Sequence, residues 1–167
     1  MRHVAFFRNL NQGQRNNPTS EQVAAAMSAA GASSIRLVRS NGTVVFEVAD
    51  VRDATGCADA AAAALAAVSG WSDLVFVRPI EWVAEILTFV NAAEDDPRQL
   101  ELTVFDETLT PDRPLTGPRC AVVQSGPGFA IILNEFPRES HGTPTLERAL
   151  GTKATSRGLA TVRTVVR

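Results

Sequence analysis

The first 78 residues alternate between short apolar segments and longer segments in which apolar residues recur at helical spacing. The short segments are bounded by polar or glycine-containing stretches and predict strands at 3–9, 35–39, 43–48 and 74–78. Two apolar faces at helical spacing predict helices, one through Val23, Met27 and Ala30, the other through Cys57, Ala61, Ala64, Leu65 and Val68. The resulting order, βαββαβ, is the ferredoxin-like arrangement, with an antiparallel sheet and both helices on one face.

Local signals mark where these elements begin and end. Thr19 and Gln22 have the spacing of a capping box, which predicts a helix start. Gly31 is a natural helix stop, and Asp53 is placed to cap the second helix. The dipeptide Asn41-Gly42 predicts a tight hairpin turn between the second and third strands, because it tolerates positive φ.

The second half is less regular and predicts the order α-β-β-β-α-α. Pro79 is expected to begin a helix with an apolar stripe of Val83, Ile86, Leu87 and Val90, followed by an acidic loop at 91–98. A strand at 100–105 precedes an irregular connection at 108–118, which is rich in proline and threonine. A hairpin follows at 120–124 and 129–134, and short helices are expected at 144–150 and 157–166.

We therefore predict an α+β protein with two parts, a ferredoxin-like subdomain at 1–78 and a second subdomain of αβββα type at 79–167, ending in a helix. The strands at 3–9 and 74–78 are apolar on both faces, so something must cover the open side of the first sheet. We expect the second half to pack against it, as a permuted relative of the first.

Composition narrows the class of protein. Hydrophobic residues make up 45% of the chain and the formal net charge is −2, which is typical of a globular protein and lacks the basic footprint of a dedicated nucleic-acid binder. The N-terminal apolar stretch stops at Arg8, and no apolar run approaches the roughly 20 residues of a membrane helix. We expect the protein to be cytoplasmic and not to associate with a membrane. Cys57 and Cys120 are expected to be reduced thiols in the core.

The loop at 9–17 is the strongest candidate site. It joins a strand to a helix start, where backbone N–H groups and the helix dipole favour negative charge. Arg8, Asn11, Gly13 and Arg15 are placed to bind a phosphate or carboxylate. Neither the dinucleotide fingerprint nor the P-loop is matched, and a solvated loop with an ordinary helix cap remains the alternative.

Three segments resemble one protein family. The run at 7–16, FRNLNQGQRN, resembles the LLRGINVGGKN opening of the bacterial family called domain of unknown function 1697. The run NGTVVF at 41–46 resembles its SGNVVF segment, and LERALGTKATSR at 146–157 resembles its LEKKLG and ATTRNWNTV ending. The resemblance implies a fold and supplies no reaction. The chain departs from it after Arg157, where Gly158, Leu159 and Ala160 replace Asn, Trp and Asn.

Two further residues fall in these matching segments and are candidates for the same site. Turn chemistry alone explains Asn41, and a surface position on a helix is the favoured explanation of Arg157. His3 and His141 have no nucleophile motif beside them. The adjacent carboxylates Glu94-Asp95-Asp96 and Asp106-Glu107 are typical of solvated loops or helix caps. No metal or cofactor motif is present.

The leading hypothesis is a non-catalytic binding protein for a small anionic ligand, or for an acidic group on a partner. The alternative is an enzyme acting on a small phosphorylated or acylated metabolite, which requires a pocket with a perturbed titratable group. A third possibility is an interaction module that uses an exposed sheet edge or apolar patch. Nucleic acid is disfavoured by the charge, and the sequence leaves the oligomeric state open.

Overall fold

The computed structural model describes residues 1–50, 53–91, 95–111 and 115–167. The chain divides into two compact units, Met1–Val83 and Ala84–Arg167. The predicted acidic loop at 91–98 and the irregular connection at 108–118 each lie partly outside the described residues. Within the described ranges, no helix combines the length and apolar character needed to cross a membrane.

The first unit has the predicted ferredoxin-like order. Its elements are β1 (Arg2–Phe7), α1 (Ser20–Ala29), β2 (Ser33–Val38), β3 (Thr43–Glu47), α2 (Ala54–Val68), β4 (Val75–Pro79) and the start of α3 (Ile80–Asn91). The strands lie in the order β2-β3-β1-β4, and every neighbouring pair is antiparallel. This confirms the predicted α+β class and the βαββαβ topology of the first half.

The helix-facing side of this sheet forms the core of the first unit. Ala5, Phe7, Val44 and Phe46 pack there with residues of α1 and α2 such as Leu65. Phe7 and Trp71 meet edge to face, with ring centroids 5.8 Å apart. Fully buried aromatic side chains dominate the energetics of such cores, so this cluster fixes the sheet beneath the loops.

The opposite face of the sheet is also buried at its centre. Val4 and Phe6 of β1 are completely buried, and Val45 of β3 is 2% exposed. Domains of this topology that bind RNA stack bases on exposed aromatic side chains of this face. The central strands here present no such exposed platform.

The helix boundaries bear out most of the local signals. Thr19 and Gln22 form a complete capping box, and Gly31 adopts a φ of +98° just beyond α1. Asp53 stands at the N-cap of α2, but its side chain makes no capping hydrogen bond, so that prediction was wrong. The predicted apolar stripe of α2 was too wide, because Ala64 and Val68 face solvent.

The second unit is built on a five-stranded sheet. After α3 come β5 (Leu100–Val104), β6 (Thr116–Gly117), β7 (Cys120–Gly126), β8 (Phe129–Asn134), α4 (Gly142–Leu150), β9 (Thr155–Gly158) and α5 (Leu159–Val165). The strands lie antiparallel in the order β6-β7-β8-β5-β9. Phe105, Ile132 and Leu146 lie in a core cluster on the α4 side.

Two predicted helix starts were wrong. Pro79 pairs with His3 as the last residue of β4, and α3 begins one residue later, with the predicted stripe buried. Residues 155–158 were expected to lead into or form a helix. They pair instead with β5, so that Arg157 lies opposite Leu102 and the helix begins only at Leu159.

The two sheets repeat one topology. If the short β6 is set aside, β7-β8-β5-β9 follows the same order as β2-β3-β1-β4. In each unit a helix immediately follows the fourth strand, α3 after β4 and α5 after β9. The second unit is therefore a direct, not a permuted, relative of the first. Between β5 and β7, residues 105–111 and 115–119 contain no counterpart of α1, and Pro111 and Pro118 disfavour a helix there.

Candidate functional site

Three connections meet at one end of the first unit's sheet. The backbone N–H of Phe7 donates to the carbonyl of Gly42 over 2.8 Å, and that of Gln12 donates to Ser40 over 2.9 Å. The N–H of Arg8 donates to the carbonyl of Leu74 over 2.9 Å. We call this region, residues 8–18, 39–42 and 70–74, the loop end. It brings Arg8, Asn11, Gly13, Arg15 and Asn41 to the same end of one sheet.

The backbone of the loop after β1 is largely paired with itself. The N–H of Asn11 donates to the side-chain oxygen of Asn17 over 2.8 Å, and that of Gly13 donates to Pro18 over 3.0 Å. Gly13 takes a φ of +79°, which closes this turn. Asn11 and Gly13 were both predicted as ligand contacts. Their backbone N–H groups instead form hydrogen bonds within the loop and stabilise its conformation.

Arg8 is committed to an ion pair. Its Nη1 donates to the carboxylate of Asp73 over 2.6 Å, and both side chains are mostly buried. The same oxygen of Asp73 accepts from Nδ2 of Asn9 over 2.8 Å. The indole N–H of Trp71 donates to the carbonyl of Arg8 over 2.9 Å. Arg8 thus fastens the loop to the connection before β4, and its charge is compensated.

The first turn of α1 is occupied by its own side chains. The N–H of Gln22 donates to the hydroxyl of Thr19 over 3.2 Å, and the N–H of Thr19 donates to the amide oxygen of Gln22 over 2.9 Å. The backbone N–H of Glu21 and the Thr19 side chain lower the pKa of the Glu21 carboxyl. A carboxylate of the chain already sits where the helix dipole favours an anion.

Two arginines of the loop end point into solvent. The guanidinium of Arg15 forms neither a hydrogen bond nor an ion pair with any residue that the structure describes, and Arg39 beside the hairpin turn is also exposed. The side-chain oxygen of Asn41 accepts from the Thr43 hydroxyl over 2.9 Å, which is the turn chemistry expected of Asn. The predicted contacts thus divide into residues that shape the loop end and a guanidinium that remains available.

Arg157 belongs to the second unit and is buried in its edge strand. Its Nη1 donates to the hydroxyl of Thr155 and to the carbonyl of Ser156, both over 2.8 Å. Burial lowers the pKa of Arg157 to about 10. It is not the surface helix residue that the sequence suggested, because its strand pairs with β5.

The two histidines differ in environment. His3 is buried on the helix-facing side of β1, with its ring 5.8 Å from that of Phe46. Its Nδ1 is buried without a hydrogen-bond partner among the described residues, and desolvation lowers its pKa below 6.5. His141, before α4, is partly exposed, and its Nε2 lies 3.2 Å from a carboxylate oxygen of Glu139.

We expect His3 to make the protein less stable in mild acid. The unfolded chain protonates this imidazole near pH 6.5, whereas the folded protein takes up the proton only at lower pH. The contribution of the neutral His3 imidazole to the free energy of unfolding is therefore complete above pH 6.5 and declines as the pH falls below that value. Urea unfolding at neutral pH and at about pH 5.5 should show a smaller acid-induced loss in His3→Phe than in the wild type. His141→Phe is the matched control, and an equal change in both variants would remove His3 as the cause.

A second polar cluster, not predicted from the sequence, surrounds the start of α4. Glu101 of β5 is 2% exposed, and its carboxylate accepts from the N–H of Gly142 over 2.7 Å and from the hydroxyl of Ser140 over 2.6 Å. The Ser156 hydroxyl lies 2.8 Å from the hydroxyls of both Thr103 and Thr143. The alternation of β5, with Glu101 and Thr103 between leucines and valine, was the available signal. The Glu101 carboxylate serves the helix start, because both its oxygens are engaged there.

Metal-binding clusters, surface grooves and the Cys57 thiol are the other features that could carry chemistry. Where the chain is described, no group of three or more His, Cys, Asp or Glu side chains is placed to hold a metal ion. A groove of about 480 Å³ in the first unit is lined by small residues such as Gly31 and Gly56, with Asp53 and Cys57. Burial raises the pKa of the Cys57 thiol, which keeps it protonated and unreactive.

Comparison with known proteins gives a family and a fold. The model of a family described as protein of unknown function (DUF1697) matches residues 1–116. A solved structure of a conserved bacterial protein from Streptococcus pneumoniae is similar, with a TM-score of 0.68 and 14% sequence identity. That alignment covers 99% of this chain and 96% of the other. No curated protein matches the chain.

Proposed function

The chain belongs to the DUF1697 family, whose function is unknown, and we propose that it is a non-catalytic binding protein for a small anionic ligand at the loop end of its first unit. The observation that carries this proposal is the exposed guanidinium of Arg15 on a loop whose backbone is fastened by hydrogen bonds. Because the backbone of the loop is already ordered, binding costs only the rotamer entropy of the arginine side chain. Loops on a rigid scaffold are also the usual carriers of binding residues.

The charge balance of the loop end favours an anion. Arg8 and Asp73 neutralise each other, so that Arg15 and Arg39 remain as exposed positive charges. Glu21 in the first turn of α1 is the nearest acid along the chain, and its carboxylate is engaged by its own N–H and by Thr19. Because the Thr19 and Gln22 side chains cap that turn, we assign recognition to the exposed guanidinium of Arg15. Guanidinium groups bind phosphate and carboxylate in the same forked geometry.

A thermal-shift screen tests the proposal. The wild type and Arg15→Ala are heated with inorganic phosphate, carboxylate and phosphate-bearing metabolites, nucleotides and short RNA. A ligand at 100 times its Kd stabilises the folded state by about 2.7 kcal/mol, which raises the melting temperature. Loss of one charge-assisted hydrogen bond of about 1.5–3 kcal/mol should weaken binding in Arg15→Ala by about 10- to 100-fold.

Arg2→Ala is the matched control, because Arg2 begins β1 at the opposite end of the same strand. It removes an equal charge and should leave the ligand-induced shift unchanged. A shift that is the same in Arg15→Ala as in the wild type would place the ligand elsewhere. No shift with any compound at saturating concentration would overturn the proposal. A shift with RNA alone would replace the small ligand with a nucleic acid.

The enzyme alternative is tested on the same samples. A ligand that shifts the melting temperature is incubated with the protein and recovered for mass spectrometry. An unchanged ligand fits a binding protein, whereas a product that forms in proportion to protein concentration would make it an enzyme.

The proposal extends to a cytoplasmic location. Cys57 and Cys120 are both buried free thiols, which suits a reducing compartment. Labelling with a thiol reagent after denaturation of the cell-derived protein should modify both cysteines without prior reduction.

A further inference from the structure

The fourth strands of the two units carry arginines at equivalent positions. Arg78 of β4 lies opposite Val4 of the central strand β1, and Arg157 of β9 lies opposite Leu102 of the central strand β5. Both arginines are buried, with 7% and 6% of their surface exposed. β4 and β9 are also the outermost strands of their sheets on that side. The match reflects the repeated topology of the two units.

The backbone hydrogen bonds fix which groups of β4 point away from its sheet. The N–H of Arg8 donates to the carbonyl of Leu74, so Leu74 and every second residue after it point their backbone groups toward β1. Arg78 belongs to that set. Val75 and Val77 lie between its members and point their N–H and C=O groups outward.

The same reasoning applies to β9. The N–H of Phe105 donates to the carbonyl of Gly128 beside β8, so Leu102 points its backbone groups the other way, toward β9. Its partner Arg157 therefore points toward β5. Ser156, one residue earlier, points its N–H and C=O outward.

In both strands the arginine side chain bonds an outward carbonyl. Nη1 of Arg78 donates to the carbonyl of Val77 over 2.8 Å, and Nη1 of Arg157 donates to the carbonyl of Ser156 over 2.8 Å. An added strand would need these carbonyls as acceptors. The Arg78 guanidinium also lies over the Trp82 ring, 5.4 Å from its centroid, which holds the charged group beside β4.

We propose that Arg78 and Arg157 prevent an additional strand from pairing with the outer edges of β4 and β9. Proteins protect exposed edges with charges and prolines, and Pro79, which has no N–H, ends β4 directly after Arg78. The equivalent arginine in each unit occupies one acceptor site of the carbonyl that points away from the sheet. An interaction module that recruits a partner strand at β4 or β9 is therefore disfavoured.

The test removes the guanidinium of Arg78 and then blocks the edge of β4 with a proline. Arg78→Met keeps much of the side-chain volume and removes the donor and the charge. We expect it to form edge-paired dimers, with about a twofold rise in mass over the wild type by light scattering after gel filtration. Val75→Pro in the same chain should restore the wild-type mass, because the Val75 N–H points outward and its loss breaks no hydrogen bond to β1.

The outcomes separate edge pairing from simple unfolding. Circular dichroism first establishes that each variant is folded. A folded Arg78→Met with the wild-type mass at the highest attainable concentration would overturn the proposal. So would association that persists after Val75→Pro, since it would not depend on the edge of β4. If Arg78→Met does not fold, Arg157→Met, tested in the same way, decides the matter.

Discussion

Gly42→Ala should destabilise the first unit and disorder the loop end. Gly42 has a φ of +69°, a conformation that costs an alanine about 1–2 kcal/mol. A Cβ at this position would lie 2.9 Å from the Leu10 Cβ and 2.9 Å from the Phe7 carbonyl oxygen. The backbone oxygen cannot move away without breaking β1, so the overlap should add about 1–3 kcal/mol. Urea unfolding followed by tryptophan fluorescence measures the sum, since Trp71 packs in the same core.

Gly13→Ala is the matched control for this prediction. Gly13 has a similar φ of +79°, but a Cβ there would have nothing within 4 Å. The free energy of unfolding of Gly13→Ala should fall only by the cost of the positive φ, about 1–2 kcal/mol. Equal losses in the two variants would mean that the close approach of Gly42 to Phe7 and Leu10 contributes nothing. If Arg15 binds an anion, Gly42→Ala should also weaken that binding, because the hairpin turn supports the loop through the hydrogen bond from Gln12 to Ser40.

The features that were predictable from the sequence are those that neighbouring residues determine. The Thr19 capping box spans four residues. The Asn41-Gly42 pair marked the position of the hairpin turn, but only Gly42 of the pair has a positive φ, and the other positive φ of this turn is at Arg39. Alternation and helical spacing then gave the βαββαβ order of the first unit. The predicted loop end followed from the same short-range signals, because a strand, a polar loop and a helix start are adjacent in the chain.

The errors arose where a distant segment decides the outcome. Asp73 lies 65 residues from Arg8, and nothing near Arg8 indicates that its charge is compensated. The pairing of β9 with β5 joins Arg157 to Leu102, and the four-residue strand has no apolar alternation of its own. Because residues 155–158 directly precede α5, local propensity favoured a helix that includes Arg157. Pairing with β5 overrode that propensity and made these residues a strand. The internal repeat was likewise visible only as strand order, because the described residues between β5 and β7 contain no counterpart of α1.

Glu101 is expected to be among the most sensitive polar residues of the second unit. Its buried carboxylate accepts one hydrogen bond from the first N–H of α4 and another from the hydroxyl of Ser140. Hydrogen bonds to a charged group contribute more than neutral ones, and the negative charge also complements the positive end of the helix. Gly142 allows this approach, since a Cβ there would lie 2.8 Å from the Glu101 carboxylate oxygen and 2.7 Å from Ile132.

Glu101→Ala should therefore lower the free energy of unfolding by about 2–4 kcal/mol, because it leaves the buried Gly142 N–H without an acceptor. Glu101→Gln keeps one acceptor oxygen and the side-chain volume, so its loss should be smaller. Glu135→Ala is the control, since the Glu135 carboxylate forms an exposed ion pair with Arg119 at 3.5 Å, of a kind that contributes at most about 1 kcal/mol. Hydrogen exchange localises the effect. Amides at the start of α4 should lose protection in Glu101→Ala, while those of α1 keep theirs. A Glu101→Ala protein as stable as Glu135→Ala, with α4 still protected, would mean that water or a rearranged side chain replaces the carboxylate as the helix cap.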